Sequence, residues 1–214
     1  MPRDIPWIEQ LVAKLAPRTI TDPALDSLAQ FVGLVASWDV RHNLTGASDA
    51  KQLIEILLAD AMVLSSQDLI SDGARIIDVG AGAGAPSIPL TLLRADVHAV
   101  LVEPRKKRAA FMRFAIGCLN LHGRVSVTEQ RLDLDHPEAI KAGQQFDVAL
   151  SRATFSPEVW QGLGLAVGQT CIVLGTDKLL QVSPLAPARL LQQRSYAWPY
   201  SNALRTVQLL GRSV

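Results

Sequence analysis

Between Arg75 and Pro89 the chain reads Arg-Ile-Ile-Asp-Val-Gly-Ala-Gly-Ala-Gly-Ala-Pro-Ser-Ile-Pro. Gly80, Gly82 and Gly84 alternate with alanine directly after Ile76, Ile77 and Val79, and an apolar run from Ile88 to Leu93 follows. A buried strand, a glycine turn and a helix opening in that order form the ligand-binding start of a doubly wound α/β sheet. Glycine tolerates positive φ and carries no bulk, so a ligand can lie against bare backbone there. The spacing is not G-x-G-x-x-G, and the Gly-Lys-Ser/Thr ending of a phosphate loop is missing, which argues against a nucleoside triphosphate. Asp78-x-Gly80-x-Gly82-x-Gly84 suits S-adenosylmethionine instead, because that ligand ends in an amino acid rather than a pyrophosphate. Glu103 closes the next apolar run, Val97 to Val102, roughly 20 residues past the glycines, where an acid can take a ribose hydroxyl pair. The plainer alternatives are a tight strand–helix turn for the glycines and a loop-bracing role for Asp78.

A second group of residues is basic. Arg105-Lys106-Lys107-Arg108 opens a helical pattern, where the helix dipole disfavours cations. That placement points to an anionic partner or, more plainly, to a solvated face. Arg131 and Arg152 each follow an apolar run, and so fall where strand ends converge on a ligand. Trp38 reads as helix core or as a stacking platform. Asn43 reads as a loop cap or as a contact to RNA or cofactor. His42, His98, His122 and His136 share no spacing. Cys118 and Cys171 sit in separate apolar segments with no zinc spacing, so neither a metal site nor a disulfide is expected.

The elements that would position these groups fall into two parts. Residues 1–72 read as an N-terminal helical segment. Ile8, Leu11, Val12 and Leu15 repeat at helix spacing up to Pro17. Asp22-Pro23 predicts an N-cap followed by a proline at the first helical position. An apolar stripe then runs from Leu25 towards Trp38, broken by Asn43-Leu44-Thr45-Gly46, and a third helix spans Ala50 to Ser65. Residues 73–214 alternate strand and helix. Strands are predicted at Ile76–Val79, Val97–Val102, Val125–Thr128, Phe146–Leu150 and Cys171–Leu174. Helices are predicted at Pro86–Leu93, Lys106–Leu121 and Val159–Ala166. Tyr196–Trp198 with Leu204–Leu210 would be a closing antiparallel pair. The pattern predicts a mostly parallel sheet with helices on both faces.

At 214 residues and 49% hydrophobic composition the chain can bury a sizeable core. Its formal net charge of +1 means that any nucleic-acid surface must be local. No signal-peptide pattern is apparent and no apolar run reaches membrane-spanning length, so a cytoplasmic protein is expected.

Several of these motifs together resemble one family. Trp38-Asp39-Val40-Arg41-His42-Asn43-Leu44-Thr45 is similar to the Trp-Asn-x-x-x-Asn-Leu-Thr signature of the bacterial small-subunit (16S) rRNA guanine-N7 methyltransferases, RsmG or GidB. Asp78 to Pro86 resembles their Asp-Val-Gly-Ser-Gly-Ala-Gly-Phe-Pro. Lys107-Arg108 with Phe111 matches Lys-Arg-x-x-Phe, Arg131-Leu132-Asp133 resembles Arg-Ala-Glu, and Ser151-Arg152-Ala153 matches Ser-Arg-Ala. The order and spacing hold over about residues 25 to 155. Departures lie at Leu57 in place of a His, at Ala85 and Ser87 in place of Phe and Gly, and at Leu174 in place of a Lys, with Lys178 a stand-in.

The resemblance implies a Rossmann-like class I methyltransferase fold, S-adenosyl-L-methionine as cofactor, and small-subunit rRNA or the ribosomal subunit as partner, with no metal and no membrane. It implies that Gly80, Gly82 and Gly84 face the methionine and ribose portions of the cofactor, with Asp78 and Glu103 beside them. Leu132 would meet adenine through its backbone and Asp133 its exocyclic amine. Arg152 and Arg131 would be the catalytic, acceptor-orienting pair. Asn43, Lys106, Lys107, Arg108 and Arg152 would contact the RNA. The departures leave open a paralogue methylating another RNA or a small molecule, and a non-catalytic cofactor- or RNA-binding module.

Overall fold

The computed structural model describes residues 5–17, 19–176, 182 and 188–213. Three helices come first: α1 (Ile5–Leu15), α2 (Asp22–His42) and α3 (Ala50–Leu64). Then follow β1 (Arg75–Val79), α4 (Ser87–Leu93), β2 (His98–Val102), α5 (Lys106–Cys118) and β3 (Val125–Thr128). A 3₁₀ turn (Pro137–Lys141) leads to β4 (Val148–Ser151), α6 (Pro157–Val167), β5 (Thr170–Thr176), β6 (Ala188–Ala197) and β7 (Leu204–Arg212). The strands form one sheet in the order β3-β2-β1-β4-β5-β7-β6. β1 to β5 run parallel, and β7 is antiparallel to both β5 and β6. The chain winds outward from β1 through β2 to β3, then returns to place β4 on the other side of β1. That reversal opens a crevice at the carboxyl ends of β1 and β4, where ligands bind in such sheets.

Alternating side chains divide the core. Ile76, Leu101, Val148, Leu150 and Ile172 face a layer built from α1 to α5. Ile77, Val79, Val102, Ala149 and Val173 face the opposite side, covered by α6 and the 3₁₀ turn through Trp160, Leu165 and Ile140. Burial on both faces explains why these strands read as near-continuous apolar runs. The α1–α3 layer shares its core with α4, α5 and the sheet, and Leu57 is wholly inside it. Arg94 ties the two together. It is 1% exposed and donates to the carbonyls of Ser65 (3.3 Å), Ile70 (3.0 Å) and Ser71 (3.2 Å), and to the Asp72 and Asp96 carboxylates. With its donors so used, a buried cation is tolerated at the passage from α3 into β1.

Several boundaries differ from the sequence expectation. The N-cap of α2 is Thr21, in extended backbone, and Asp22-Pro23 already lie inside the helix. α5 stops at Cys118 rather than Leu121, because Asn120 turns the chain in a left-handed conformation, φ 54°. β4 starts at Val148, after Asp147 has turned its carboxylate to the Arg75 N–H (2.8 Å). The closing antiparallel pair is present and longer on its β6 side than Tyr196–Trp198. Lys178 lies outside the described residues. Cys118 and Cys171 are free thiols, and burial pushes the Cys171 thiol up. Among the described residues no helix is long and apolar enough to cross a membrane.

Candidate cofactor and acceptor site

The glycine loop leaves β1 at Val79 and crosses above β2. Gly80 N–H donates to the Val102 carbonyl (2.8 Å), and Ala81 N–H to the same oxygen (3.1 Å). Gly80, Gly82 and Gly84 all have positive φ, at 82°, 61° and 84°. At Gly80 space is lacking too, since a Cβ there would lie 2.0 Å from Thr154 Oγ1. Glycine is thus required at Gly80 for two separate reasons.

Glu103 is 3% exposed and sits just past β2. Its Oε2 accepts the Gly82 N–H (3.0 Å) and its Oε1 the Arg105 N–H (2.9 Å). One carboxylate therefore holds the glycine loop and the entry to α5 in register, a bracing role the spacing alone did not reveal. A carboxylate has about four acceptor positions, so both oxygens can accept a further hydroxyl.

Asp78 is 1% exposed, and its Oδ2 accepts from the Ser87 hydroxyl (2.6 Å). Ser87 stands where the resembled family has glycine, and here it supplies the donor that Asp78 needs. Burial raises the Asp78 carboxyl to about 7; the Ser87 hydrogen bond and the nearby Arg152 charge oppose the rise, and Glu103 adds to it. The contact agrees with the bracing alternative for Asp78.

A cleft of about 210 Å³ opens at the carboxyl ends of the strands. Val79, Val102, Leu132 and Phe155 give it apolar walls, and Gly80, Arg131 and Thr154 line it as well. Phe155 stacks on the buried Trp160, with ring centroids 5.5 Å apart and an 8° interplanar angle. A bare backbone floor, apolar walls and a buried carboxylate beside them fit an adenosine bearing a small charged tail. The sequence alone did not single out Thr154 and Phe155. Their signal was position, directly after Ser151-Arg152-Ala153, where Ala153 takes φ 57° to turn the chain back over the loop. A larger cleft, about 530 Å³, lies at the opposite edge of the sheet by Arg75, His98 and Arg124. It lacks the glycine loop and both buried acids.

The structure brings some predicted residues together and separates others. Gly80, Arg131 and Leu132 share the cleft. Arg108 Nη1 lies 3.6 Å from where a Gly82 Cβ would be. Lys106 and Lys107 are exposed on the first turn of α5, without an ion-pair partner among the described residues. Arg152 is held at the end of β4 by α3: its Nη1 donates to the Ile56 carbonyl (2.6 Å) and to Asp60 (3.1 Å). Asp133 turns inward on its own loop, its Oδ1 accepting from the Asp135 N–H (2.9 Å) and the His136 N–H (3.3 Å). Asn43 is the left-handed C-cap of α2. It lines a separate hollow with Asp39, Ser48 and Asp49. Asp39 organises that turn by accepting from the Leu44 and Thr45 N–H groups and the Thr45 hydroxyl. Trp38 packs on Phe111 and Phe114, with centroids at 5.3 and 5.8 Å, which favours core over platform.

Sheet order, glycine loop and acid define the class first: this is a Rossmann-like, class I methyltransferase fold. The O-methyltransferase from Bacillus cereus, solved in complex with SAH, superposes with a TM-score of 0.58 at 16% identity, over 95% of this chain and 96% of that one. The chain belongs to the rRNA small subunit methyltransferase G family, GidB, whose model matches residues 24–165. Ribosomal RNA small subunit methyltransferase G of Psychromonas ingrahamii is 36% identical over 134 residues, 63% of this chain and 60% of that protein. Its namesake from Nitrosomonas eutropha is 34% identical over 131 residues, 61% of this chain and 57% of that protein. The match spans less than two thirds of the length of these relatives.

Replacing Glu103 by Ala is expected to weaken cofactor binding by roughly 1–3 kcal/mol, the scale of a missing charged acceptor. Because Glu103 also braces Gly82 and Arg105, Glu103→Gln, which keeps one acceptor oxygen, should lose less. Calorimetry with the cofactor or its demethylated product decides; unchanged affinity in folded Glu103→Ala removes Glu103 from the site.

Proposed function

We propose that this protein transfers a methyl group from S-adenosyl-L-methionine to guanine N7 of small-subunit rRNA, in the cytoplasm. The observation that carries the reading is the Glu103 carboxylate locked to the Gly82 N–H at the carboxyl edge of β1 and β2, in a chain of this family. Residues 1–72 serve in this reading as a helical segment packed on the transfer domain, 73–214.

When bound, S-adenosylmethionine supplies a methyl group on a cationic sulfur. The chain's own residues then have three tasks. Gly80, Gly82 and Gly84 offer backbone to the methionine and ribose portions, with Glu103 on the ribose hydroxyls and Asp78 bracing the loop through Ser87. Val79, Val102, Leu132 and Phe155 exclude water around the purine, and Asp133 stands near its rim. Arg152 and Arg131 orient the acceptor from the strand ends. Guanine N7 attacks with a free lone pair and has no proton to lose, so orientation and a preorganised field suffice and no general base is needed. Lys106, Lys107 and Arg108 gather the RNA backbone at the start of α5, and Asn43 touches it from the end of α2.

The test combines purified protein, labelled S-adenosylmethionine and small ribosomal subunits that lack the modification. Label on guanine N7 supports the reading; cofactor binding without transfer to rRNA overturns the acceptor assignment. Lys106→Ala with Lys107→Ala should weaken RNA binding and lower its salt slope by about 0.7–0.9 for each phosphate no longer neutralised. Cofactor affinity should stay within about twofold in that variant, since neither lysine lines the cleft.

A further inference from the structure

Asp60 lies on α3 and is wholly buried. Its Oδ1 accepts from the Tyr196 hydroxyl (2.7 Å) and from Trp198 Nε1 (3.0 Å). Its Oδ2 accepts from Arg152 Nη1 (3.1 Å) and lies 3.8 Å from Arg205 Nη2. Arg205 in turn sits over the Trp198 ring at 4.7 Å. The partners come from β6, the residue after it, β7 and the loop after β4.

Arg152 differs from Arg205 in being hydrogen-bonded at one terminal nitrogen, whereas Arg205 meets Asp60 only at 3.8 Å. Arg152 Nη1 donates to both the Ile56 carbonyl and Asp60, which uses both N–H bonds of that nitrogen. The other three N–H donors, on Nη2 and Nε, have no hydrogen-bond partner among the described residues, and the side chain keeps 18% exposure. A guanidinium is a rigid plane, so anchoring one terminal nitrogen fixes the direction of the rest. Two guanidiniums also face a single carboxylate here, and Arg152 is close enough to Asp78 to oppose the rise of its carboxyl.

We propose that Asp60 is a positioning residue that, with the Ile56 carbonyl, holds the Arg152 guanidinium in the orientation that presents its remaining donors to the acceptor. Tyr196 and Trp198 fasten the β6–β7 hairpin to the other oxygen of the same carboxylate, Oδ1, apart from the Arg152 contact on Oδ2. The inference rests on the reading of Arg152 as the acceptor-orienting group.

A double-mutant cycle tests it, with kcat, KM and cofactor affinity measured for Asp60→Asn, Arg152→Ala and the pair. Asp60→Asn is expected to lower kcat at least about tenfold with cofactor affinity within about threefold, and to change kcat by less than about twofold once Arg152 is Ala. Tyr196→Phe removes a hairpin hydrogen bond and leaves the ion pair; it should lower thermal stability while kcat stays within about twofold. Multiplicative effects of Asp60→Asn and Arg152→Ala overturn the coupling. So does a loss of kcat in Tyr196→Phe equal to that in Asp60→Asn, which marks a structural role. If Asp60→Asn does not fold, Asp60→Glu takes its place in the cycle: a loss of kcat of at least about fivefold that disappears once Arg152 is Ala supports the proposal, and a loss that persists there overturns it. A folded Arg152→Ala that transfers methyl at the wild-type rate instead defeats the underlying assignment of Arg152, whatever Asp60 does.

Discussion

Gly80→Ala is expected to abolish measurable cofactor binding and to destabilise the fold by about 2–4 kcal/mol, the sum of overpacking and a left-handed alanine. The added Cβ would lie 2.0 Å from Thr154 Oγ1 and 2.8 Å from Thr154 Cβ, far inside van der Waals separation. Either Thr154 leaves the cleft wall or the loop lifts off the Val102 carbonyl that holds it. Both moves deform the floor on which the ligand would rest. Adding Thr154→Gly separates the two causes. It removes the collision and should restore most of the stability, leaving a residual of roughly 1 kcal/mol for φ 82° at a non-glycine residue. Chemical denaturation and calorimetry on the two variants measure both quantities. Wild-type affinity in Gly80→Ala would mean that the ligand does not use this floor.

Asp78→Asn is expected to make the folded protein more stable at pH 8 while changing little at pH 4. Unfolded, the carboxyl ionises near its ordinary 3.8; folded, burial holds it to about 7. Between those values the native state keeps a proton that the unfolded chain has released. Stability contributed through this group therefore falls as pH rises from about 4 to about 7 and levels off above. The full loss is on the order of 4 kcal/mol. Asparagine carries no charge to desolvate and still accepts from the Ser87 hydroxyl, so the loss should vanish. Denaturation curves for both proteins at several pH values supply the test, and the difference between them cancels the other titrating groups. Two curves that stay parallel from pH 4 to pH 8 would show that the buried Asp78 ionises normally. A bound sulfonium and ammonium would favour the ionised form, so cofactor should draw the transition of the wild type downward in pH.

The residues also show which kinds of information each level carries. The glycine loop, the acid after the next strand and the alternation of apolar runs were readable in the sequence because they are local. Alternating glycines announce backbone that needs positive φ, and a strand buried on both faces must be apolar throughout. The family resemblance was readable for the same reason, since each of its motifs is a strand end or a turn of a few residues. Element ends were less sharp. Whether α5 stops at Cys118 or Leu121 depends on one left-handed residue, Asn120, which apolar periodicity does not register.

Tertiary structure alone decided what the polar side chains do. Asp60 meets Arg152 across 92 residues and Tyr196 across 136, because the sheet order sets β4 beside β1 and β7 beside β5. Nothing in the spacing of those residues encodes that. Glu103 was legible as an acid at a strand end, but its grip on Gly82 and Arg105 exists only once the loop folds over β2. Ser87 reads as a departure from the family's glycine until the fold brings its hydroxyl to Asp78. Asn43 is the exception, since the loop cap read from its sequence position is the role that the fold shows. Backbone requirements are written residue by residue along a chain. The partner of a buried charge is set by where distant segments meet, and that is a property of the assembled sheet.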